Sequence, residues 1–289
     1  MKPARFEYVK AVSVADAVSV LAEYGGDARV LAGGQSLVPL LGMRLLRPAA
    51  VVDINGLQDE LGRVDVRADD LLVGALVRYS EIEASDVIAE HAPLLRHAVT
   101  FIGDRQVRNR GTLGGAIAQA DPTGEMALVS LTLGARVHAR GPGGQREIPI
   151  EEFFLGSYAT ALAPDELVTG VAFPRSPTRF RFFERGRKHN DFALLSLAVV
   201  ARSGAGGAWE GVRIGLGGAN DRPVLALAAA QELGARAWDP DVIERASRRA
   251  LEAADPPDDV RATAEYRSHL LPIHLRRMLT DLAGAESRG

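Results

Sequence analysis

Two short loops carry residue types suited to gripping an anion: Ala32-Gly33-Gly34-Gln35-Ser36-Leu37 and Gly111-Thr112-Leu113-Gly114-Gly115. In each, paired glycines precede an apolar segment. Glycine tolerates positive φ and lets backbone N–H groups approach a phosphate with no Cβ in the way. Ser36 and Thr112 add hydroxyl donors, and a helix starting just after either loop adds the favourable end of its dipole. Two such loops from different parts of the chain can hold the two phosphates of a dinucleotide from both sides. Taken singly, each reads equally well as a plain turn, because Gly-Gly pairs punctuate many chains. No G-x-G-x-x-G follows a strand and no G-x-x-x-x-G-K-[ST] occurs. The usual dinucleotide fingerprint and the nucleotide-cleaving P-loop are therefore both missing.

Other chemistries find less support. Gly34-Gln35-Ser36-Leu37-Val38 begins like the G-x-S-x-G elbow of hydrolases, but Val38 replaces the final glycine, so the strained elbow is unsupported. The histidines are His91, His97, His138, His189, His269 and His274, and none pair at i,i+4. His269 and His274 fall on different helix faces, so isolated surface or core residues are the better reading and no metal site is expected. Cysteine is absent, which excludes a disulfide, a thiol nucleophile and a cysteine-ligated iron–sulfur cluster within this sequence. The run from Arg105 to Arg110 is a local basic cluster in a chain of net charge −3. The overall field favours neither nucleic acid nor an anionic membrane. The start has no apolar run of signal-peptide length, and no stretch approaches ~18 uninterrupted apolar residues, so a cytoplasmic protein without a membrane span is expected.

The elements that must position the loops follow from patterning. A length of 289 residues suggests two or three modest domains, and 47% hydrophobic residues suffice to give them cores. Ser13-Val14-Ala15-Asp16 opens a helix with a capping-box pattern, and Gly25-Gly26 ends it. A strand Arg29–Leu31 leads into the first loop, a helical run covers Leu37–Leu46, and Ala50–Ile54 is a strand, making a small β-α-β unit. A second region holds strand Leu71–Leu76, a helix capped at Ser80 and a helix after Pro93. There follow a long connection from Gly103 to Gly124 and strands at Ala135–Ala139 and Glu147–Ile150. Pro174-Arg175-Ser176-Pro177 reads as a linker. Beyond it lie strands Arg179–Glu184, Ala193–Ala201 and Val212–Leu216, then helices over Val242–Leu251 and from Asp259 to Ala283, interrupted at Pro272. Strands first and helices after predict an α+β domain with helices on one sheet face.

The two loops, with Gln106-Val107-Arg108-Asn109-Arg110 before the second and Ala120-Asp121-Pro122 after it, resemble the FAD-binding (medium) subunits of molybdenum hydroxylases. That family includes the medium subunit of aerobic carbon monoxide dehydrogenase and the flavin domain of xanthine dehydrogenase. Lys188-His189-Asn190-Asp191-Phe192-Ala193 and Glu265-Tyr266-Arg267-Ser268-His269-Leu270 resemble further family segments, so the likeness covers nearly the whole chain. It implies an α+β fold: a two-part FAD-binding region of vanillyl-alcohol-oxidase/PCMH type at 1–56 and 57–174, then a C-terminal sheet-plus-helices domain at 178–289. It also implies that Ala32, Gly33, Gly34, Gln35, Ser36 and Leu37 bind the pyrophosphate together with Asn109, Gly111, Thr112, Gly114 and Gly115. Asp121 is expected near the ribose or ribityl hydroxyls, a role that suits a carboxylate acceptor. Lys188 and Asp191, with Phe192 behind them, are expected toward the flavin ring, although on residue types alone the two read as readily as an exposed ion pair. Ala116 and Gln119 depart from the family pattern, where relatives often carry a polar residue and a histidine.

No histidine lies in either loop, so the FAD is expected to be non-covalent. Gly34→Val and Gly114→Val are expected to abolish FAD binding with the fold retained. The resemblance implies a large molybdenum-cofactor subunit and a small two-iron two-sulfur subunit as partners. Electrons would pass through FAD to an external acceptor (a quinone, NAD or oxygen), with no acid–base catalytic residue assigned in this chain. Two other readings stay open on the sequence: a self-sufficient FAD-dependent oxidoreductase of the same wider fold, and a non-catalytic α/β binding module whose glycine loops are turns.

Overall fold

A computed structural model describes residues 2–175, 179–188, 190–204, 208–234 and 237–284. Pro177 of the expected linker, His189 of the Lys188–Ala193 segment and the final residues 285–289 lie outside the described residues.

The first region contains β1 (Glu7–Lys10), α1 (Val14–Tyr24), β2 (Ala28–Leu31), α2 (Leu37–Gly42), β3 (Ala50–Asp53) and α3 (Gln58–Leu61). Its sheet is three-stranded and wholly parallel, in the order β1-β3-β2, so the expected β-α-β unit has one strand more. Strand β1 escaped the pattern because most of its residues are exposed and no apolar alternation marks it. Ser13 caps α1 by accepting the Asp16 N–H, and Gly25 closes it at φ +54°. The reciprocal Asp16 carboxylate accepts from Val12, one residue upstream of the usual capping-box donor. Helix α2 stops at Gly42, short of the expected Leu46. The chain turns back there, with the Leu45 amide donating to Leu40 and Arg44 in a left-handed conformation.

The second region comprises β4 (Val64–Val66), β5 (Asp70–Gly74), α4 (Tyr79–Ala84), α5 (Asp86–His91), α6 (Pro93–Val99), α7 (Arg105–Arg108), α8 (Leu113–Gln119) and α9 (Glu125–Leu133). It continues with β6 (Arg136–Gly141), β7 (Gly144–Pro149), α10 (Ile150–Phe153), β8 (Phe154–Gly156), β9 (Ala159–Thr160) and β10 (Leu167–Pro174). A five-stranded antiparallel sheet runs β4-β5-β10-β6-β7. Helix α4 begins before Ser80, and its start is closed by the Glu81 carboxylate accepting the Arg78 N–H at 2.6 Å. The expected long connection contains α7 and α8, and it leads into α9, of which Met126 through Thr132 are all buried. A helix apolar all round belongs inside a core rather than at a surface.

The third region has β11 (Arg179–Arg185), β12 (Leu195–Ser203), β13 (Trp209–Gly217) and β14 (Val224–Leu225) as one antiparallel sheet in sequence order. Helices α11 (Leu227–Leu233), α12 (Pro240–Arg249) and α13 (Ala264–Gly284) follow. Helix α13 starts later than Asp259 and runs unbroken through Pro272. One face of the sheet, with Ala198 and Val200, packs into the core that holds α6 and α9. The other, with Leu195, Leu197, Val199 and Ala201, packs against α11 to α13. The helices of the third region thus cover one face of their own sheet, as expected, and the other face is buried against α6 and α9 of the second region.

Candidate cofactor-binding site

The first glycine loop leaves β2 and enters α2. Among the described residues, the five successive amides from Gly33 to Leu37 have no acceptor within the chain. Unpaired N–H groups in a row demand a partner, and an anion satisfies several at once. Gly34 sits at φ +74°, a conformation that an L side chain strains to adopt. The Gln35 side chain folds back onto the loop, donating to the Gly33 carbonyl at 3.2 Å. Ser36 precedes α2, is exposed, and makes no side-chain cap bond.

The second loop is built differently. Its Leu113 and Gly114 amides donate to Val77 and Ala75 carbonyls at 3.1 and 3.0 Å. The Gly115 amide is taken by Thr112 Oγ1 at 3.2 Å, the cap of α8. Of this loop's glycines, Gly111 and Gly114 exist for packing. A Cβ on Gly114 would lie 2.4 Å from that of Ala75, and one on Gly111 2.4 Å from the Tyr79 ring. The expectation that Gly114→Val keeps the fold is therefore corrected: the added atoms meet the backbone of Ala75 before they meet a ligand. Gly115, by contrast, is exposed, and only Thr112 Oγ1 lies near its missing Cβ. Asn109 is exposed beside it.

The two loops touch. A Cβ on Gly33 would fall 2.2 Å from the Arg110 carbonyl, so glycine is what lets them meet. Beneath them runs a brace that sequence reasoning missed. Arg78 donates to the Arg110 carbonyl and, at 2.6 Å, to Asn55 Oδ1. Asn55 in turn donates to the Leu31 and Ala32 carbonyls at 3.3 and 2.9 Å, and to Asp53. Asp53 also accepts the Tyr8 hydroxyl. Burial opposes ionisation of Asp53, yet these hydrogen bonds and Lys10 hold its carboxyl below its ordinary range. Burial and the neighbouring Arg110 press the Arg78 guanidinium below its usual value; so strong a base keeps its charge. A cation thus lies under both loops. No sequence motif marks Arg78 or Asn55, because they meet each other and the carbonyls of both loops across long stretches of chain.

Helix α8 joins this shelf to a second cluster, since its seven residues span about 10 Å from Thr112 to Ala120. Asp121 follows, with Oδ1 accepting the Thr123 amide and hydroxyl, both at 2.8 Å. Its Oδ2 meets the Tyr158 hydroxyl at 3.5 Å, while the Tyr158 amide donates to the Ala120 carbonyl at 2.9 Å. Ala120, Tyr158 and Asn190 all have positive φ without being glycine, and such outliers gather where a structure holds a site open. Arg261 lies near Tyr158 and stands over the Phe192 ring at 4.6 Å. Asp121, Tyr158, Arg261 and Phe192 are thus neighbours in turn, which sets the Asp121 turn near the segment that holds Phe192. Asp191 accepts its neighbour's amide at 2.9 Å, and Lys188 is exposed. Among the described residues they form no ion pair with each other. Ala116 and Gln119 are partly exposed along α8.

Arg267, from the expected third-domain segment, is buried and structural. It donates to the Leu194 and Gly218 carbonyls at 2.5 and 3.2 Å and to Asp259 at 2.7 Å. Gly218 donates to the Pro122 carbonyl at 2.9 Å, tying the third region to the Asp121 turn. Cavities of about 150 Å³ beside His91 and Arg213 and about 400 Å³ beside Arg67 and His138 lie elsewhere, with no glycine-loop residue in either lining. The loops form an open shelf, fitted to an extended ligand with a diphosphate at one end. A pyrophosphate suits the free amides and the cation, so the residues present fit FAD on the geometry of the donors.

Comparison with known proteins agrees along the whole chain. Residues 4–176 match the FAD binding domain in molybdopterin dehydrogenase, and residues 180–282 match the CO dehydrogenase flavoprotein C-terminal domain. The 6-hydroxypseudooxynicotine dehydrogenase complex subunit alpha of Paenarthrobacter nicotinovorans is 35% identical, over 96% of this chain and 95% of its own. The carbon monoxide dehydrogenase medium chain of Afipia carboxidovorans is 34% identical, over 96% of both. A solved carbon monoxide dehydrogenase structure from Hydrogenophaga pseudoflava superposes with a TM-score of 0.94 at 33% identity, covering 97% of this chain and 98% of that one. With its glycine shelf, C-terminal sheet and full-length relatives all in agreement, the chain belongs to the family of FAD-binding medium subunits of molybdenum hydroxylases, as an oxidoreductase subunit.

Proposed function

We propose that this chain is the electron-transfer subunit of a cytoplasmic molybdenum hydroxylase complex, holding FAD non-covalently and linking partner iron–sulfur clusters to an external acceptor. The observation that carries the reading is the run of five unpaired amides from Gly33 to Leu37, set over the Arg78 cation and against the second loop. Those amides and Arg78 would hold the pyrophosphate, with Ser36, the Thr112 amide and the open side of Gly115 completing the shelf. Asn109 borders the second loop, and Gly111 and Gly114 keep it in place by packing. Asp121 would take the ribityl or ribose hydroxyls, and Lys188 and Asp191 would lie toward the ring. FAD, when bound, exchanges one or two electrons and so joins one-electron carriers to a two-electron acceptor.

The sequence has no cysteine, so two-iron two-sulfur clusters must sit in a small partner, while a large partner carries molybdenum and meets the substrate. Support comes from relatives named as medium chains and as a complex subunit. The acceptor belongs to the class of quinone, NAD or oxygen. The test is an absorbance spectrum of the purified protein followed by release of the cofactor. Bands near ~375 and ~450 nm and acid-releasable FAD are expected. A colourless protein that also fails to bind added FAD overturns the reading. Co-purification of molybdenum and iron with the native complex tests the partners in the same preparation.

A further inference from the structure

Behind Asp121, the carboxyl groups of Glu125, the first residue of α9, and Glu184, near the end of β11, are in hydrogen-bonding contact. Two carboxylates are both acceptors, so a hydrogen bond between them exists only when one carries a proton. We propose that Glu125 and Glu184 share one proton at neutral pH as a half-buried acid pair, which joins α9 to the C-terminal sheet beside the Asp121 turn, and that losing this proton weakens both that joint and FAD binding. The second half rests on the FAD reading above; the first stands without it.

The surroundings favour a held proton. Glu184 Oε2 is sealed from solvent and has no hydrogen-bond partner. An ionised oxygen left bare in such a place is costly, whereas a neutral acid is tolerated. Ser196 stands opposite Glu184 across the β11–β12 ladder, is fully buried, and its Oγ also lacks a partner. Directly opposite residues of an antiparallel pair present their side chains to the same sheet face. That face therefore carries a second unsatisfied polar group beside the pair, while its arginine, Arg213 opposite Val200, is engaged by the Leu131 and Thr132 carbonyls and Glu151 at the far end of α9. Among the described residues, the titratable groups facing the pair are Asp121 and the buried Tyr79 phenol, and no Lys, Arg or His offsets them.

Burial, then the Asp121 charge, raises the Glu125 carboxyl to about 7 although its bond to Glu184 pulls the other way; burial, then the charge of Glu125, raises Glu184 to about 8. A folded-state value above the unfolded one means that the folded protein binds the extra proton. The stabilisation is complete below the ordinary carboxyl range and is lost as pH climbs through those values. A doubly ionised pair also places a second negative charge behind Asp121, where an anionic dinucleotide is to bind.

The experiment compares wild type with Glu184→Gln and Glu125→Gln. A glutamine amide donates a permanent N–H to the remaining carboxylate, keeping the bond without the titration. Thermal midpoints of the flavin-free protein and FAD dissociation constants from flavin fluorescence are measured from about pH 5.5 to about 9. For wild type the midpoint should fall across this range and the dissociation constant rise at least about fivefold, while both stay level in Glu184→Gln. Superimposable wild-type and Glu184→Gln curves overturn the proposal. If the variants do not fold, infrared spectra of wild type decide. A protonated-carboxyl C=O band present near neutrality and bleached in alkali supports the pair, and its absence at neutrality overturns it. FAD that fails to bind at every pH refutes the flavin reading instead, and the flavin-free curves still decide the pair.

Discussion

At the residue scale, the glycines of the two loops do separate jobs that look alike in sequence. Gly34 permits a backbone turn with positive φ, Gly33 permits contact between loops, and Gly114 permits contact with the Ala75 backbone. Gly34→Ala and Gly114→Ala should therefore fail in different ways. A side chain forced into the left-handed region costs about 1 to 2 kcal/mol. The Gly34 variant should thus fold, melt a few degrees lower, and lose FAD. An overpacked contact costs about 1 to 3 kcal/mol, and here it meets backbone, so the Gly114 variant should lose stability first and flavin only as a consequence. Urea unfolding of the flavin-free proteins separates the two; equal losses would show that neither glycine is specialised. Arg78 offers a second contrast. Arg78→Gln removes the charge and part of the brace, and the lost attraction to a diphosphate should weaken FAD by about tenfold, near 1.4 kcal/mol. Fluorescence titration in low and high salt checks this, since the wild-type advantage should shrink as salt screens it. Identical affinities would remove Arg78 from the site.

At the scale of elements, what was legible in the sequence was what leaves a local mark. Ser13 and Gly25 bracket α1 as expected, because caps are decided within one helical turn. The strand before the first loop and the strand after it were visible as apolar runs, and the two strands of the β6–β7 hairpin were expected close to where they lie. Helix α9 was not seen, since its residues are buried on every side and no period of apolar and polar positions remains to read. Helix α8 was hidden by its glycines, which suggest a connection, yet Thr112 caps it and Gly114 lets it settle on Ala75. Pro272 misled in the opposite direction: α13 is long and well packed enough, through Leu271, Leu275 and Leu279, to carry a proline inside. Within the site, both glycine loops were legible as motifs. The Asn55–Arg78 brace, the Tyr158–Asp121 contact and the Glu125–Glu184 pair were not, because each joins residues distant in sequence through side chains of ordinary type.

At the scale of the whole molecule, the flavin shelf and the C-terminal sheet depend on one another, although residues 4–176 and 180–282 match separate family domains. Helix α9 lies against β12 and β13, and Ala198 and Val200 complete the core that also contains Leu128, Leu131 and Leu95. The Gly218–Pro122 hydrogen bond and the Ser157–Asp221 bond at 2.9 Å fasten the third region to the turn and hairpin around Asp121. A chain ending after about residue 176 would expose one side of α9 and lose the Glu184 partner of Glu125. Each large apolar side chain uncovered forfeits about 1.5 to 3 kcal/mol, against a typical total stability of about 5 to 15. Such a fragment should therefore express as aggregate or as a partly folded protein without bound flavin, and adding the C-terminal fragment in trans should restore both solubility and colour. If residues 1–176 alone yield a monodisperse, FAD-bearing protein, the C-terminal sheet is an accessory to the shelf and not its inner wall.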